Sequence, residues 1–208
     1  MKKYIVITGD IVGFTRLPAT NRESLINASI EMLSQWVEKP EHASIFRGDS
    51  FQLLFNNVES ALKRCIQIRC WFKMNSLKGE KVLDAKMALG FGEISYMGKS
   101  VLDADGEAFH LSGRSFDELE VGESWSIVTS DSAKNEQLKM ILNLADIIVK
   151  AWTINQAEVI FSLLEGKNQQ QMAEELNIAQ SAVNNRIKLA KWKEIEKTFR
   201  YITKLIEQ

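Results

Sequence analysis

The feature that most constrains this chain of 208 residues is a series of closely spaced helix start and stop signals near its C-terminus. Thr153 and Gln156 form a T-x-x-Q capping box, in which each side chain satisfies a backbone N–H group at a helix start. Gly166 follows as a helix stop. Asn168 and Gln171 then form a second capping box. The predicted helices span 154–165, 169–176 and about 179–192, with a terminal helix continuing to about Leu205.

The connection between the second and third of these helices is short. It consists of Leu176, Asn177 and Ile178, and asparagine tolerates the left-handed conformation that such a turn needs. Ala173 is small enough to let two helices cross closely. Two short helices joined in this way predict a helix-turn-helix unit.

Residues 153–192 resemble the DNA-binding region of sigma-factor region 4 and of response-regulator output domains. The matching residues are E-V-I-F-S-L-L-E-G-K followed by M-A-E-E-L-N-I-A-Q-S-A-V-N-N-R-I. Ala179 departs from the family, which usually places Ser or Thr there as a helix cap, at a cost of about 1 kcal/mol. The resemblance implies that the third helix enters double-stranded DNA.

Local charge and side-chain chemistry fit this implication. The whole chain has a net charge of -1, whereas residues 179–204 contain seven Lys and Arg and two Glu, an excess of +5. Asn and Gln can pair with adenine edges and Ser with several bases, while cationic side chains bind phosphates. The predicted DNA-binding residues are Gln180, Ser181, Asn184, Asn185, Arg186, Lys188 and Lys191, with Lys193 as a further phosphate contact. The alternative is a three-helix bundle that makes protein contacts.

The N-terminal part of the chain predicts an α+β fold. Its apolar patterns indicate strands at 3–8, 43–47, 51–55, 84–93 and 124–129, and helices at 21–38, 57–77, 106–119 and 131–152. This order resembles a ferredoxin-like βαββαβ sheet with an extra helix and strand. We expect antiparallel strands with the helices on one face. The first strand is expected to end at Gly9-Asp10, with a turn after it.

Two aspartates of this region are candidates for a shared site. Asp10 lies in G-D-I-V-G-F-T, and Asp49 lies in the predicted hairpin turn R-G-D-S-F. In a βαββ sheet the first strand adjoins the hairpin, so the two carboxylates can be neighbours. Close carboxylates repel unless a cation lies between them, and magnesium binds one or two carboxylates together with phosphate oxygens. The alternative is that each aspartate is an ordinary turn residue.

Three motifs in this region resemble those of the class III nucleotidyl cyclases. D-I-x-G-F-T is matched from Asp10 to Thr15, and the hairpin G-D is matched by Gly48-Asp49. D-x-x-G-x-x-x-N-x-x-x-R is matched from Asp103 to Arg114, with His110 in place of the Asn. Ile45 stands where the family has its purine-specifying Lys, which leaves the choice of base open.

The resemblance to the cyclases implies a set of roles. The implied metal (Mg²⁺) ligands are Asp10, Asp49 and the backbone of Ile11. The implied nucleotide contacts are the N–H groups of Gly13, Phe14 and Thr15, with Asp103 at the base. The implied catalytic residues are His110 at the ribose and Arg114 at the phosphates. Because such sites form between two chains, the resemblance also implies a homodimer. The division is then a cyclase-like domain at 1–150 and a helix-turn-helix domain at 151–208, a combination that resembles the SatD family.

Three functions remain open at this point. The favoured one is a DNA-binding transcriptional regulator whose cyclase-like domain binds a nucleoside triphosphate or another nucleotide, or only mediates dimerisation. The second is an active nucleotidyl cyclase or nucleotidyltransferase with a DNA-binding tail, and the third is a protein-interaction module. The short apolar run at the N-terminus and two cysteines without disulfide spacing, Cys65 and Cys70, predict a cytoplasmic protein without a membrane span.

Overall fold

The computed structural model describes residues 2–208, which form one five-stranded sheet and eight α-helices in a mixed α+β arrangement. The strands are β1 (Lys3–Val12), β2 (Ala43–Phe46), β3 (Ser50–Phe55), β4 (Asp84–Glu93) and β5 (Trp125–Val128). Their order across the sheet is β2-β3-β1-β4-β5. Neighbouring strands are antiparallel except β4 and β5, which are parallel and so depart from the expected all-antiparallel sheet.

The helices follow the expected order along the chain. They are α1 (Ala19–Trp36), α2 (Val58–Met74), α3 (Glu107–Asp117), α4 (Ser132–Lys150), α5 (Ile154–Leu164), α6 (Gln169–Leu176), α7 (Gln180–Leu189) and α8 (Trp192–Glu207). Single turns of 3₁₀ helix lie at Phe14–Arg16, Pro40–His42 and Val101–Asp103.

Strand β1 is longer than its apolar pattern predicts. The strand continues to Val12 because its pairing with β4 extends that far, and Asp10 lies opposite Ser50 of β3 and Lys86 of β4. A β-carbon at Gly9 would lie 2.3 Å from the ring of Phe51, so glycine here makes room for a core side chain. The expected strand end at Gly9-Asp10 was therefore wrong, and Asp10 is a strand residue.

Helices cover both faces of the sheet, which corrects the expectation of a single helical face. Alternate β1 residues such as Ile5 and Ile7 face the main core, formed with helices that include α2 and α4, whereas Val6 faces a smaller core under α3. Helix α3 approaches β4 closely at Gly90, where a β-carbon would lie 2.2 Å from the carbonyl oxygen of Ala108. The glycines of β4 thus permit a helix on the second face.

A buried ion network joins α2, β4 and α4. Arg69, fully buried, donates Nε to Asp84 Oδ1 and Nη2 to Asp84 Oδ2 at 2.8 Å each, and Nη1 to Asp146 Oδ1 at 2.7 Å. Lys73 lies 3.3 Å from Asp84, and Lys150 lies 2.7 Å from Asp146. Burial favours the neutral form of Asp84, but the charge of Arg69 outweighs it and lowers the pKa of Asp84.

The C-terminal helices form as their end signals predict. Both capping boxes are present, at Thr153 and at Asn168, and Asn177 adopts the left-handed conformation with φ 50°. Ala179 makes no side-chain cap bond, as expected. Helix α7 is shorter than expected because Lys191, at φ 54°, breaks it from α8.

These C-terminal helices pack against the rest of the chain. Gln67 of α2 donates to Glu165 just after α5, and the rings of Trp125 and Phe199 lie 5.8 Å apart. One hydrophobic core includes residues of the sheet, α2, α4, α5 and α8. The division at residue 150 stays a prediction.

The structure of residues 2–208 describes the two cysteines and the helices that could cross a membrane. Cys65 and Cys70 are free and buried, and burial raises the pKa of both thiols. No single helix of residues 2–208 is long and apolar enough to cross a membrane, although α4 and α5 together pass that test across a bend of 117°.

Candidate functional site

The structure brings Asp10 and Asp49 together at the junction of β1 with the β2–β3 hairpin. The Ile11 N–H donates to the Asp49 carbonyl oxygen at 3.1 Å, which joins the two segments directly. The hydroxyl of Ser50 donates to Asp10 Oδ1 at 3.1 Å. Positive φ at Gly48, 95°, makes the tight turn that returns the chain beside β1. The sequence prediction that these two aspartates are neighbours is consistent with this register.

The electrostatic state of this pair is unfavourable in the chain alone. Burial raises the pKa of Asp10, the negative charge of Asp49 raises it further, and the Ser50 hydrogen bond opposes both. Within residues 2–208, no Lys, Arg or His side chain forms an ion pair with either carboxylate. The two acids therefore repel each other without an internal counter-ion.

The oxygen donors at this junction suit magnesium. In an antiparallel strand the N–H and C=O of one residue point to the same side, so the Ile11 carbonyl faces the hairpin that carries Asp49. Across residues 2–208, no group of three or more His, Cys, Asp or Glu side chains is placed to hold a metal. Two carboxylates and one carbonyl are hard ligands that leave positions for phosphate oxygens, which is the magnesium pattern.

The segment after β1 contains the three predicted phosphate contacts. Gly13, with φ 92°, starts the 3₁₀ turn, and the ring of Phe14 is buried in the core. Thr15 is exposed, and its carbonyl accepts a 2.6 Å hydrogen bond from Arg22, which also donates to Leu17. The N–H groups of Phe14 and Thr15 lie in the first turn and have no partner within the helix.

The third motif lies around the start of α3. Asp103 is exposed and accepts a hydrogen bond from Ser100 at 3.2 Å, while His110 Nε2 lies 2.9 Å from Asp105 Oδ1. Arg114 is exposed one turn further along α3. Within residues 2–208, no hydrogen bond or ion pair connects these three predicted residues to the aspartate pair. The predicted roles of these three residues beside the aspartate pair therefore stay a prediction.

The position expected to select a purine base is occupied by an apolar side chain that packs against the core. Ile45 of β2 is half-buried, packs against the main core and lies opposite Phe51 of β3. Its side chain cannot hydrogen-bond a base edge.

Sequence reasoning missed a polar chain on the same sheet face as Asp10. Gln52 donates to Thr8 Oγ1 at 3.3 Å, and the Thr8 hydroxyl lies 3.0 Å from that of Ser112 in α3. The signal was the alternation of polar residues along β1 and β3, where Thr8 and Asp10 lie opposite Gln52 and Ser50. This chain ties α3 to the strands that hold the aspartate pair.

The predicted DNA-binding residues lie on α7 and just after it. Ser181, Asn185 and Lys188 are exposed and follow an i, i+4, i+7 spacing, so they share one face. Val183 is buried on the other side. Of the remaining predicted residues, Gln180 and Lys191 are exposed and Asn184 is half-buried.

Arg186 differs from the other predicted phosphate contacts. Its Nη1 lies 3.4 Å from Glu158 Oε2 of α5, and both side chains are partly buried. This ion pair joins α5 to α7, so Arg186 has a structural partner in the absence of DNA.

Comparisons with known proteins give little beyond these observations. No protein-family model matches the chain, and no curated protein matches it. The solved structure of "a bacterial light-regulated adenylyl cyclase" is similar at a TM-score of 0.43 and 16% sequence identity. That similarity covers 60% of this chain and 74% of the cyclase chain. It is a distant likeness, and the residues described above carry the functional argument.

Proposed function

We propose that this protein is a DNA-binding transcriptional regulator whose N-terminal region binds a nucleotide with magnesium. The observation that carries the proposal is the polar face of α7, where Ser181, Asn185 and Lys188 are exposed together while Val183 anchors the opposite side. A helix exposed in this way after a short turn fits the major groove of DNA, and its amide side chains suit adenine edges.

The arrangement of helices supports a helix-turn-helix assignment. Only Asn177, Ile178 and Ala179 separate α6 from α7, and the left-handed Asn177 makes the turn without glycine. The exposed Lys188 and Lys191 lie at the end of α7, where they would contact phosphates.

The aspartate pair supports the nucleotide-binding part of the proposal. Asp10 and Asp49 meet without an internal counter-ion, and the Ile11 carbonyl faces the same hairpin. Magnesium held there would neutralise the pair and bind the phosphates of a nucleotide. The N–H groups of Gly13, Phe14 and Thr15 would donate to those phosphates.

The strand order supports a cyclase-like fold for this region. The sequence of elements β1-α1-β2-β3-α2-β4 with sheet order β2-β3-β1-β4 supports a ferredoxin-like arrangement extended by α3 and β5. Membership of the SatD family and assembly as a homodimer belong to the same proposal.

A second candidate function is an active nucleotidyl cyclase. The observation that favours it is that Arg114 and His110 lie one turn apart on the exposed side of α3. If a second chain places them at the aspartate pair, Arg114 would stabilise charge on the phosphates and His110 would hold the ribose, opposite Asp103 at the base. The half-buried, apolar Ile45 and the His110–Asp105 pair argue against a fully conventional site.

Gel-shift titration of the full chain on genomic DNA fragments tests the DNA-binding proposal. We expect affinity to fall steeply with salt, because phosphate contacts release counter-ions. Lys188→Ala should reduce the slope of log affinity against log salt by about 1. Lys78→Ala, in an exposed loop before β4, is the matched control and should leave the slope unchanged. Binding that is absent or insensitive to salt would reject the proposal.

Thermal unfolding with each nucleoside triphosphate and magnesium tests the second site. We expect at least one triphosphate to raise the Tm, and the double variant Asp10→Asn, Asp49→Asn to lose that shift. Mass spectrometry of the same mixtures separates the two candidates: an unchanged triphosphate indicates a sensor, whereas a cyclic product indicates a cyclase. No shift with any nucleotide would reject nucleotide binding.

A further inference from the structure

Helix α4 has two apolar faces, and this chain covers one of them. Leu138 and Leu142 are buried in the main core on the inner face. On the outer face Met140, Leu144 and Ile147 remain 67%, 61% and 68% exposed. Their spacing of four and then three residues places them in one line along the helix, which is the spacing of a coiled-coil seam.

Neighbouring residues extend this outer face. Tyr201 of α8 is 53% exposed and lines a shallow groove together with Met140 and Ile141. The outer face has no charged residue between Lys139 and Lys150, because the one charged residue in that stretch, Asp146, is buried in the ion network. A contiguous apolar patch of this kind marks an interaction surface.

We propose that this α4 seam, formed by Met140, Leu144, Ile147 and Tyr201, is where a second copy of the chain docks, with the two α4 helices antiparallel. A two-fold interface uses the same patch on both chains, and a straight line of apolar side chains is complementary to itself. Leu144 is the middle residue of the line, so it lies beside the two-fold axis.

The charges at the two ends of the seam select this arrangement. Exposed Glu136 precedes the apolar line, and Lys150 ends it; Lys150 is paired with Asp146 at 2.7 Å but keeps 38% of its side chain exposed for a further contact. Antiparallel packing brings Glu136 of one copy towards Lys150 of the second copy, whereas parallel packing would place like charges side by side. Opposite charges flanking an apolar seam set the orientation of paired helices.

The size of the seam sets the expected strength. Covering these four side chains in two copies removes on the order of 1,000 Å² from solvent, the lower limit of a specific interface. We therefore expect a reversible dimer with a dissociation constant on the order of micromolar. This interface does not depend on nucleotide binding at Asp10 and Asp49.

Analytical ultracentrifugation of the full chain, with a charge exchange at Leu144, tests the proposal. The wild type should dimerise, and Leu144→Glu and Leu144→Lys should each be monomeric because like charges then meet near the axis. An equimolar mixture of the two variants should recover the dimer, since Glu and Lys then face each other. Leu144 is exposed in the single chain, so both variants should keep the wild-type circular dichroism spectrum and, at concentrations below the dissociation constant, the wild-type Tm.

Ile30→Glu is the matched control, because Ile30 is 44% exposed on α1, a helix that packs against β2 rather than against α4. It should dimerise like the wild type. A monomeric wild type, a Leu144→Glu variant that still dimerises, or a mixture that stays monomeric would each overturn the proposal. Binding of the wild type to phospholipid vesicles, lost in Leu144→Glu, without self-association would assign the seam to a membrane surface instead.

Discussion

Two groups of carboxylates in this protein differ in their ion pairing and in the direction in which their pKa is shifted. Asp84 of β4 accepts two hydrogen bonds from the buried Arg69 and lies near Lys73, and its pKa is lowered. Asp10 of β1 is only half-buried, lies beside another acid, and its pKa is raised. Both residues are on neighbouring central strands, so the sheet itself does not explain the difference.

The difference separates a structural group from the proposed cation site. A buried charge is costly unless it is paired, and the network around Arg69 pairs every charge it contains. The pair formed by Asp10 and Asp49 gains nothing for folding from its two negative charges. An unneutralised acid pair at the end of a strand is the arrangement expected where a cation from solution binds.

The largest effect should come from removing the central cation of the structural group. Arg69→Met leaves Asp84 and Asp146 buried without their partner, so we expect the free energy of unfolding to fall by about 3–5 kcal/mol. Urea unfolding followed by circular dichroism measures the change. Arg64→Met on the same helix is the control, because Arg64 is partly exposed and pairs with Glu165 at 3.5 Å, and should cost about 1 kcal/mol or less. Equal losses in the two variants would contradict a special role for Arg69.

The pH dependence of stability should have opposite signs at the two sites. The lowered pKa of Asp84 means that its stabilisation is complete above the ordinary aspartate pKa of 3.8 and is lost as pH falls through the lower folded value. The raised pKa of Asp10 means that its charge begins to cost stability as pH rises above 3.8, and costs fully above the folded value.

Unfolding free energies of Asp84→Asn and Asp10→Asn between pH 2.5 and pH 7 (about the range in which aspartates titrate) measure these signs. Relative to the wild type, the deficit of Asp84→Asn should shrink towards the acid end. Asp10→Asn should be more stable than the wild type at neutral pH, and this positive difference in unfolding free energy should also shrink towards the acid end. Differences of the same sign would show that the two sites do not differ in the way proposed.

Local signals predicted much of the fold, whereas tertiary partners decided the rest. The span of β4 and both capping boxes follow from short-range patterns, and they are confirmed. The extension of β1 beyond Thr8 depends on pairing with β3 and β4, which its own residues do not reveal. Helix α3 can pack on the second face of the sheet because the glycines of β4 leave room for it. The sequence of β4 alone does not show that a helix packs against these glycines.

The two carboxylate groups also differ in how far local sequence signals predict them. Asp10 and Asp49 can be predicted as neighbours because each lies in a recognisable motif near a turn. Arg69, Asp84 and Asp146 are far apart in the sequence and lie in no motif, so their network could not be predicted from spacing. The proposed roles of Asp103, His110 and Arg114 beside the aspartate pair stay a prediction.

The smallest effect tests the acid pair itself. Asp10→Asn removes one of two repelling charges and keeps an acceptor for Ser50, so we expect unfolding at pH 7 without metal to require up to about 1 kcal/mol more. Asp49→Asn should give a similar gain, and the double variant little more than either, because one substitution already removes the repulsion. Magnesium alone should raise the Tm of the wild type and of Glu80→Gln, an exposed control, but of neither aspartate variant. Additive gains from the two substitutions would mean that Asp10 and Asp49 do not interact, and the acid pair would then no longer differ from two ordinary surface carboxylates.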